Sequence, residues 1–256
     1  MKNRMLGVAA IAALFSSPVL AADLPARQPI YKAPPAAATG YDWNGVFIGG
    51  HLGWGWQRSS GTILAEPAPL AFPLGTVITN NADGFLGGAQ IGVNWQRGNW
   101  VFGLEGDFSW TNASGAVTTP SPLIAGTTTT GTEDYKWFAT VTGRVGRAWD
   151  NWLVYAKGGA AWVNHDIGGN TVSLGGSSVV DPLSETRTGW TVGAGVEQAL
   201  GGNWSNWSWK LEYNYMDFGT HLINTTTTPG AGVTTTDLDL TAHALKFGIN
   251  YRLGRI

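Results

Sequence analysis

Glu105 and Asp107 are carboxylates separated by a single residue, Gly106. On a strand they share one face, where they could act as an acid and base pair or pair with basic side chains. His51, His165, His221 and His243 are scattered, and a metal site would need them to converge from different strands. The chain has 0 Cys, so thiolate nucleophiles, disulfides and Cys-ligated zinc or iron–sulfur sites are excluded. It has no P-loop, no Gly-x-Ser-x-Gly elbow and no His-Glu-x-x-His. His243 has no convincing Ser beside it to form a nucleophilic pair. No catalytic site, cofactor or metal is therefore expected.

Strands must position these side chains. Between Trp100 and Trp110, one parity reads Trp100, Phe102, Leu104, Gly106, Phe108 and Trp110. The other reads Val101, Gly103, Glu105, Asp107 and Ser109. Only a strand separates neighbours in this way. The split recurs, for example over Phe85–Trp95 and Leu245–Leu253, and predicts eight strands near 43–57, 83–96, 99–111, 133–149, 152–165, 186–199, 207–218 and 238–253. All 12 prolines fall outside these segments, as a closed hydrogen-bonded sheet requires. Short turns (97–99, 150–151 and 200–206) alternate with connections of about twenty residues rich in Thr, Gly and Ser, the arrangement of an outer-membrane barrel with periplasmic short turns.

Tryptophan placement indicates which face meets lipid. Trp95, Trp100, Trp149, Trp152, Trp204, Trp207 and Trp209 sit beside the short turns, and Trp43 begins the first strand at the same end. Trp54, Trp56, Trp110, Trp137, Trp162 and Trp190 sit beside the long connections. Two rings at opposite ends suit the two membrane–water interfaces. Trp100 and Trp110 share a parity, and their separation along a tilted strand amounts to roughly 25 Å, the height of the apolar band in such barrels. The opposite parity then points inward: Glu105, Asp107, Glu197 and Glu212, with Arg144, Lys157, Lys210, Lys246 and Arg252. Buried charges need partners, so an interior ion network is expected, with Glu105 and Asp107 as partners of Arg144 and Lys157. Interior glycines make room for it. The fold class is all-β, an eight-stranded antiparallel up-and-down transmembrane β-barrel.

The start of the chain has a different character. Lys2 and Arg4, the apolar run Leu6–Phe15, and Val19-Leu20-Ala21 read as a signal peptide over 1–21, cleaved after Ala21 or Ala22. Pro25, Pro29, Pro34 and Pro35 make 22–42 a Pro-rich periplasmic tether, leaving 43–256 for the barrel. A formal net charge of −2 offers no bulk basicity for nucleic acid.

The order of several motifs carries a resemblance. These are Ala22-Asp-Leu-Pro-Ala-Arg27, Trp43-Asn-Gly-Val-Phe-Ile-Gly-Gly50, Glu105-Gly-Asp-Phe108, Gly143-Arg-Val-Gly146, Tyr155-Ala-Lys-Gly-Gly159 and Gly189-Trp-Thr-Val-Gly-Ala-Gly-Val-Glu197. Together the chain resembles the small outer-membrane β-barrel proteins of alphaproteobacteria, the immunogenic or porin-family outer-membrane proteins with an OmpA-like eight-stranded barrel. The resemblance implies an outer-membrane location and surface-exposed loops. Lys246, Gly248, Tyr251 and Leu253 match the spacing of the C-terminal signal read by the barrel assembly machinery, although Gly254-Arg-Ile256 replaces the usual terminal aromatic. The expected partners are outer-membrane lipid and lipopolysaccharide, that machinery, and extracellular ligands at the long loops. The expected role is envelope integrity and surface interaction; the alternatives are porin-like passage of small solutes and, third, a lipid-modifying enzyme.

Overall fold

The computed structural model describes residues 40–66, 71–173, 176–228 and 232–254. The expected signal peptide and all but the last three residues of the expected tether lie outside them. The strands are β1 (Gly45–Ala65), β2 (Val77–Arg97), β3 (Trp100–Thr111), β4 (Ser114–Pro120), β5 (Thr128–Trp149), β6 (Trp152–Ser173), β7 (Gly176–Ala199), β8 (Trp207–Thr228) and β9 (Gly232–Gly254). Every pairing is antiparallel, and β1 bonds to both β2 and β9, which closes the ring: Ile48 faces Ile91 on one side and Tyr251 on the other. Closure satisfies the backbone without leaving an edge, the condition for a sheet in lipid.

β3 and β4 form one barrel stave interrupted at Asn112–Ala113. Both pair with β5, which has a register shift between Tyr135 and Trp137 opposite the break. The described residues therefore form eight staves. Gly98 (φ 61°) and Asp150 (φ 51°) occupy the left-handed region in the tightest short turns, where the chain reverses within two residues.

The long connections differ from expectation. β1, β2 and β5–β9 each run 21 to 24 residues, about twice what a tilted strand needs to cross hydrocarbon. Most of each Thr-rich connection is strand rather than loop. Thr118 and Thr130 join hydroxyls across β4 and β5 at 2.9 Å, and Thr129 and Thr171 do so across β5 and β6 at 3.2 Å. Threonine is β-branched and suits a strand. The oily–polar alternation fades there because neither face meets hydrocarbon. Two prolines consequently lie in strands, against expectation. Pro120 ends β4, and Pro182 sits in β7 where the register with β6 shifts, at positions where a missing N–H is tolerated.

The faces divide by parity. Ile48, Leu52, Ile91, Leu104, Phe102 and Phe247 stand exposed on the outer wall, while Glu105, Arg144, Lys157 and Lys210 are buried in the bore. Trp43 corrects the expected ring at the short-turn end: it has 0% exposure and packs inside with Val101, Ala148, Leu153, Tyr155 and Ala199. It precedes β1, and the segment carrying it crosses the barrel end. Tyr41 N–H bonds to the Asp150 carbonyl (2.9 Å), Tyr41 hydroxyl to the Ser205 carbonyl (2.7 Å), and Trp43 N–H to Gln96 Oε1 (2.7 Å). Residues 40–42 are thus docked against the barrel rather than extended from it.

Candidate functional site

The bore is filled in layers. Nearest the short turns is the apolar layer around Trp43. Above it lies an ion layer supplied by β3, β5, β6, β7, β8 and β9. Glu105 accepts from Lys157 Nζ (2.8 Å), Lys210 Nζ (3.1 Å) and Arg144 Nη1 (3.5 Å). Glu212 accepts from Lys157 (2.8 Å), Lys210 (3.4 Å), Tyr155 hydroxyl (2.7 Å) and Asn214 Nδ2 (2.8 Å). Glu197 takes Arg144 Nη1 (3.3 Å), Asn250 Nδ2 (2.9 Å) and Ser208 hydroxyl (2.5 Å). Asp107 pairs with Lys246 (2.7 Å), not with Arg144 or Lys157 as expected.

Eight of the nine predicted interior charges thus come together, four anions with four cations, and each has a partner. Small residues leave the space: a Cβ on Gly248 would lie 3.2 Å from the Lys210 chain, and one on Gly195 would lie 2.6 Å from the Tyr155 ring. Arg252 stands apart. Its guanidinium lies over the rings of Tyr41 (4.7 Å) and Trp43 (5.1 Å) and donates to the Asp42 carbonyl, so it fastens the crossing segment instead. His51 joins the layer without having been expected there: its ring nitrogens contact Gln90 Oε1 (2.6 Å) and Ser109 Oγ (2.8 Å), and Asp107 lies 3.4 Å away. Its parity with Gly49, where a Cβ would meet the Gln90 and Asn250 side chains of the bore, carries that placement.

Further along the staves comes a second apolar layer, including Leu86, Phe138, Val163, Met216, Phe218 and Leu240. Beyond it, four residues past Trp137 and outside the tryptophan rings, is a polar floor. Glu133 is buried and accepts from Ser59 hydroxyl (2.5 Å) and Tyr135 hydroxyl (2.8 Å). Burial holds its carboxyl above the ordinary range. Arg187, also buried, donates to Glu185 (3.2 Å) and the Leu238 carbonyl (2.9 Å). Burial, aided by the Arg187 charge, pushes His165 down to about 4. Above this floor, at the long-loop end, is a cavity of about 540 Å³ lined by residues from β1, β2 and β4–β9 together with the β1–β2 and β4–β5 connections.

The family model described as outer membrane protein beta-barrel domain matches residues 8–252. The chain belongs to that family. A 31 kDa outer-membrane immunogenic protein of Brucella melitensis is 30% identical over 252 residues, covering 96% of this chain and 98% of that protein. A 22 kDa outer membrane protein of Rhizobium leguminosarum bv. viciae is 32% identical over 141 residues, 53% of each chain. The outer membrane protease OmpT of Escherichia coli matches with a TM-score of 0.51 at 7% identity, covering 84% of this chain and 98% of that one, a likeness of fold alone.

Of the fourteen tryptophans expected at the two rings of this outer-membrane β-barrel protein, Trp43 lies inside, Trp204 is exposed in the turn between β7 and β8, and the other twelve are on the outer wall. Trp54, Trp56, Trp95, Trp100, Trp110, Trp149 and Trp190 are exposed, and Trp137, Trp152, Trp162, Trp207 and Trp209 are partly buried against neighbours. Lys246 and Gly248 of the expected assembly signal face the bore, whereas Tyr251 packs on Trp207 (5.0 Å) and Leu253 is exposed. His243 shares a 2.7 Å hydrogen bond with the Tyr213 hydroxyl and lies 5.1 Å from the Tyr215 ring, on the outer wall.

Proposed function

We propose that this barrel stiffens the outer membrane and presents its long-loop end to the cell exterior, acting by shape and adhesion rather than by conduction or catalysis. The observation that carries this reading is the stacked bore. A Trp43 layer, an ion layer and a Phe138–Leu240 layer follow one another, so the lumen is occupied by side chains. In this reading the short turns and the docked 40–44 segment face the periplasm. The two tryptophan rings set depth, the outer one against lipopolysaccharide, and Lys246, Gly248, Tyr251 and Leu253 are read by the assembly machinery. Stave extensions of about ten residues beyond the outer ring lift the long-loop end clear of the headgroups, toward extracellular ligands.

Planar-bilayer recording of purified protein tests the reading. The expected trace has no stable ohmic steps, and reproducible steps would favour passage of small solutes. An unchanged lipid profile with and without the protein is expected by mass spectrometry, and a modified lipid would favour an enzyme.

A further inference from the structure

The buried carboxylates of this barrel do not share one arrangement. Glu105, Asp107, Glu197 and Glu212 each lie within ion-pair distance of a lysine or arginine. Glu133, 8% exposed, has no ion pair among the described residues; only the Ser59 and Tyr135 hydroxyls reach it. A buried carboxylate held by two neutral donors still has unused lone pairs and an uncompensated charge when ionised. Arg187 is the cation within its electrostatic reach, and Arg187 is bonded to Glu185 and Leu238. The unpaired carboxylate is also the one that lines the cavity of about 540 Å³.

The rest of that cavity narrows the ligand. Its charged lining consists of Glu133 and Glu66, with no lysine, arginine or histidine among the described residues. Glu66 is occupied in accepting the backbone N–H groups of Ala71 and Phe72. Ile63, Phe72, Ile78, Ile124, Ile167 and Ile223 supply apolar wall. Thr127, also in the wall and 4% exposed, has a hydroxyl without a hydrogen-bond partner among the described residues. The volume falls within the range of small-molecule sites, roughly 300–1,000 Å³. Anions are disfavoured by the carboxylates. A neutral apolar molecule would leave Glu133 and Thr127 as they are.

We infer that the cavity binds a small amphipathic amine, its ammonium on Glu133 and its apolar body against the isoleucine and phenylalanine wall. The ammonium supplies the cation that the ion layer provides to every other buried carboxylate. Thr127 offers a further acceptor. Opening toward the exterior rests on the proposed orientation, whereas the chemistry of the site does not.

The test uses the full chain in phospholipid nanodiscs, titrated calorimetrically at pH 8 with phenethylammonium, phenethyl alcohol and phenylacetate, with empty nanodiscs as the partition control. Phenethylammonium is expected to bind one to one, at least about tenfold more tightly than the alcohol, with no heat from phenylacetate. Glu133→Gln should bring the amine to the affinity of the alcohol and leave the alcohol unchanged. Ile223→Trp, which fills the cavity while keeping Glu133, should abolish both. Heat-modifiable migration in detergent gels checks that each variant is a closed barrel. Equal affinity of amine and alcohol, no specific heat from the amine, undiminished amine binding in Glu133→Gln, or binding that survives Ile223→Trp would each overturn the site. Ohmic conductance would instead strike the proposed function and leave this site standing.

Discussion

Glu105 and Glu133 sit in the same bore, on neighbouring staves, and are opposites. Glu105 lies in the middle of the membrane span with three cations around it. Glu133 lies beyond the tryptophan ring at the long-loop end, with two hydroxyls and an open cavity. A charge at mid-membrane depth has no route to water and requires a partner within the fold. A charge near the barrel mouth can be neutralised by a proton or an incoming ligand. The first arrangement serves to hold staves together, and the second leaves binding capacity unused.

The largest expected effect breaks the first arrangement. Glu105→Ala removes a carboxylate shared by Lys157, Lys210 and Arg144, and loss of one member of a buried ion group costs about 3–5 kcal/mol. The urea midpoint of the barrel in lipid vesicles should fall accordingly. Glu133→Gln keeps the shape, removes no ion pair, and should change stability by less than about 1 kcal/mol. Equal losses for the two variants would erase the distinction between the two regions.

A second, smaller effect lies in pH. His165 is three residues past Trp162 and is held at about 4 from an ordinary 6.5. Its unfolded form binds more protons between those values, so stability should rise with pH from about 4 to about 6.5 and be lost as pH falls through that window. Glu133 has the opposite sign. Its folded pKa is raised, so its contribution is present below the ordinary Glu value and declines as pH rises through the raised one. His165→Phe should flatten the acid side of the profile, and Glu133→Gln should remove the later decline. Urea midpoints across pH 4 to 8 check both, and an unaltered profile in either variant would refute its assignment.

The membrane-spanning half of the fold was legible because hydrocarbon forces a strict parity. Trp100, Phe102, Leu104, Phe108 and Trp110 could only be one wall, and Glu105 and Asp107 only the other. The ion layer followed from the same parity, although the choice of Lys246 for Asp107 depends on tilt and stagger across staves, which a single strand does not encode. Outside hydrocarbon the constraint lapses. Thr127–Thr130 and Thr225–Thr228 read as loop because their outer face has no reason to be oily, although threonine pairs well in strands. Parity alone therefore does not mark Glu133 and Arg187 as a polar floor. Trp43 is ambiguous in the sequence because tryptophan near a turn fits an interfacial ring as well as it fits a plug. Only the chain crossing made by residues 40–44 distinguishes them.

The smallest expected effect concerns an ion pair outside the bore. Lys136 occupies the bulge in β5 and lies 3.2 Å from Asp166 on the outer wall, with side chains 50% and 38% exposed. Its partners are the same chemical types as Lys246 and Asp107, at a similar distance. Solvent screens this pair and two mobile side chains must be fixed to make it, so Lys136→Ala should cost no more than about 0–1 kcal/mol. Lys246→Ala should cost several times as much, because it strands Asp107 in the bore. Raising salt should shrink the Lys136 effect and leave the Lys246 effect nearly intact. If urea midpoints of the two variants fell together, or responded alike to salt, ion-pair strength in this barrel would depend on distance rather than on burial.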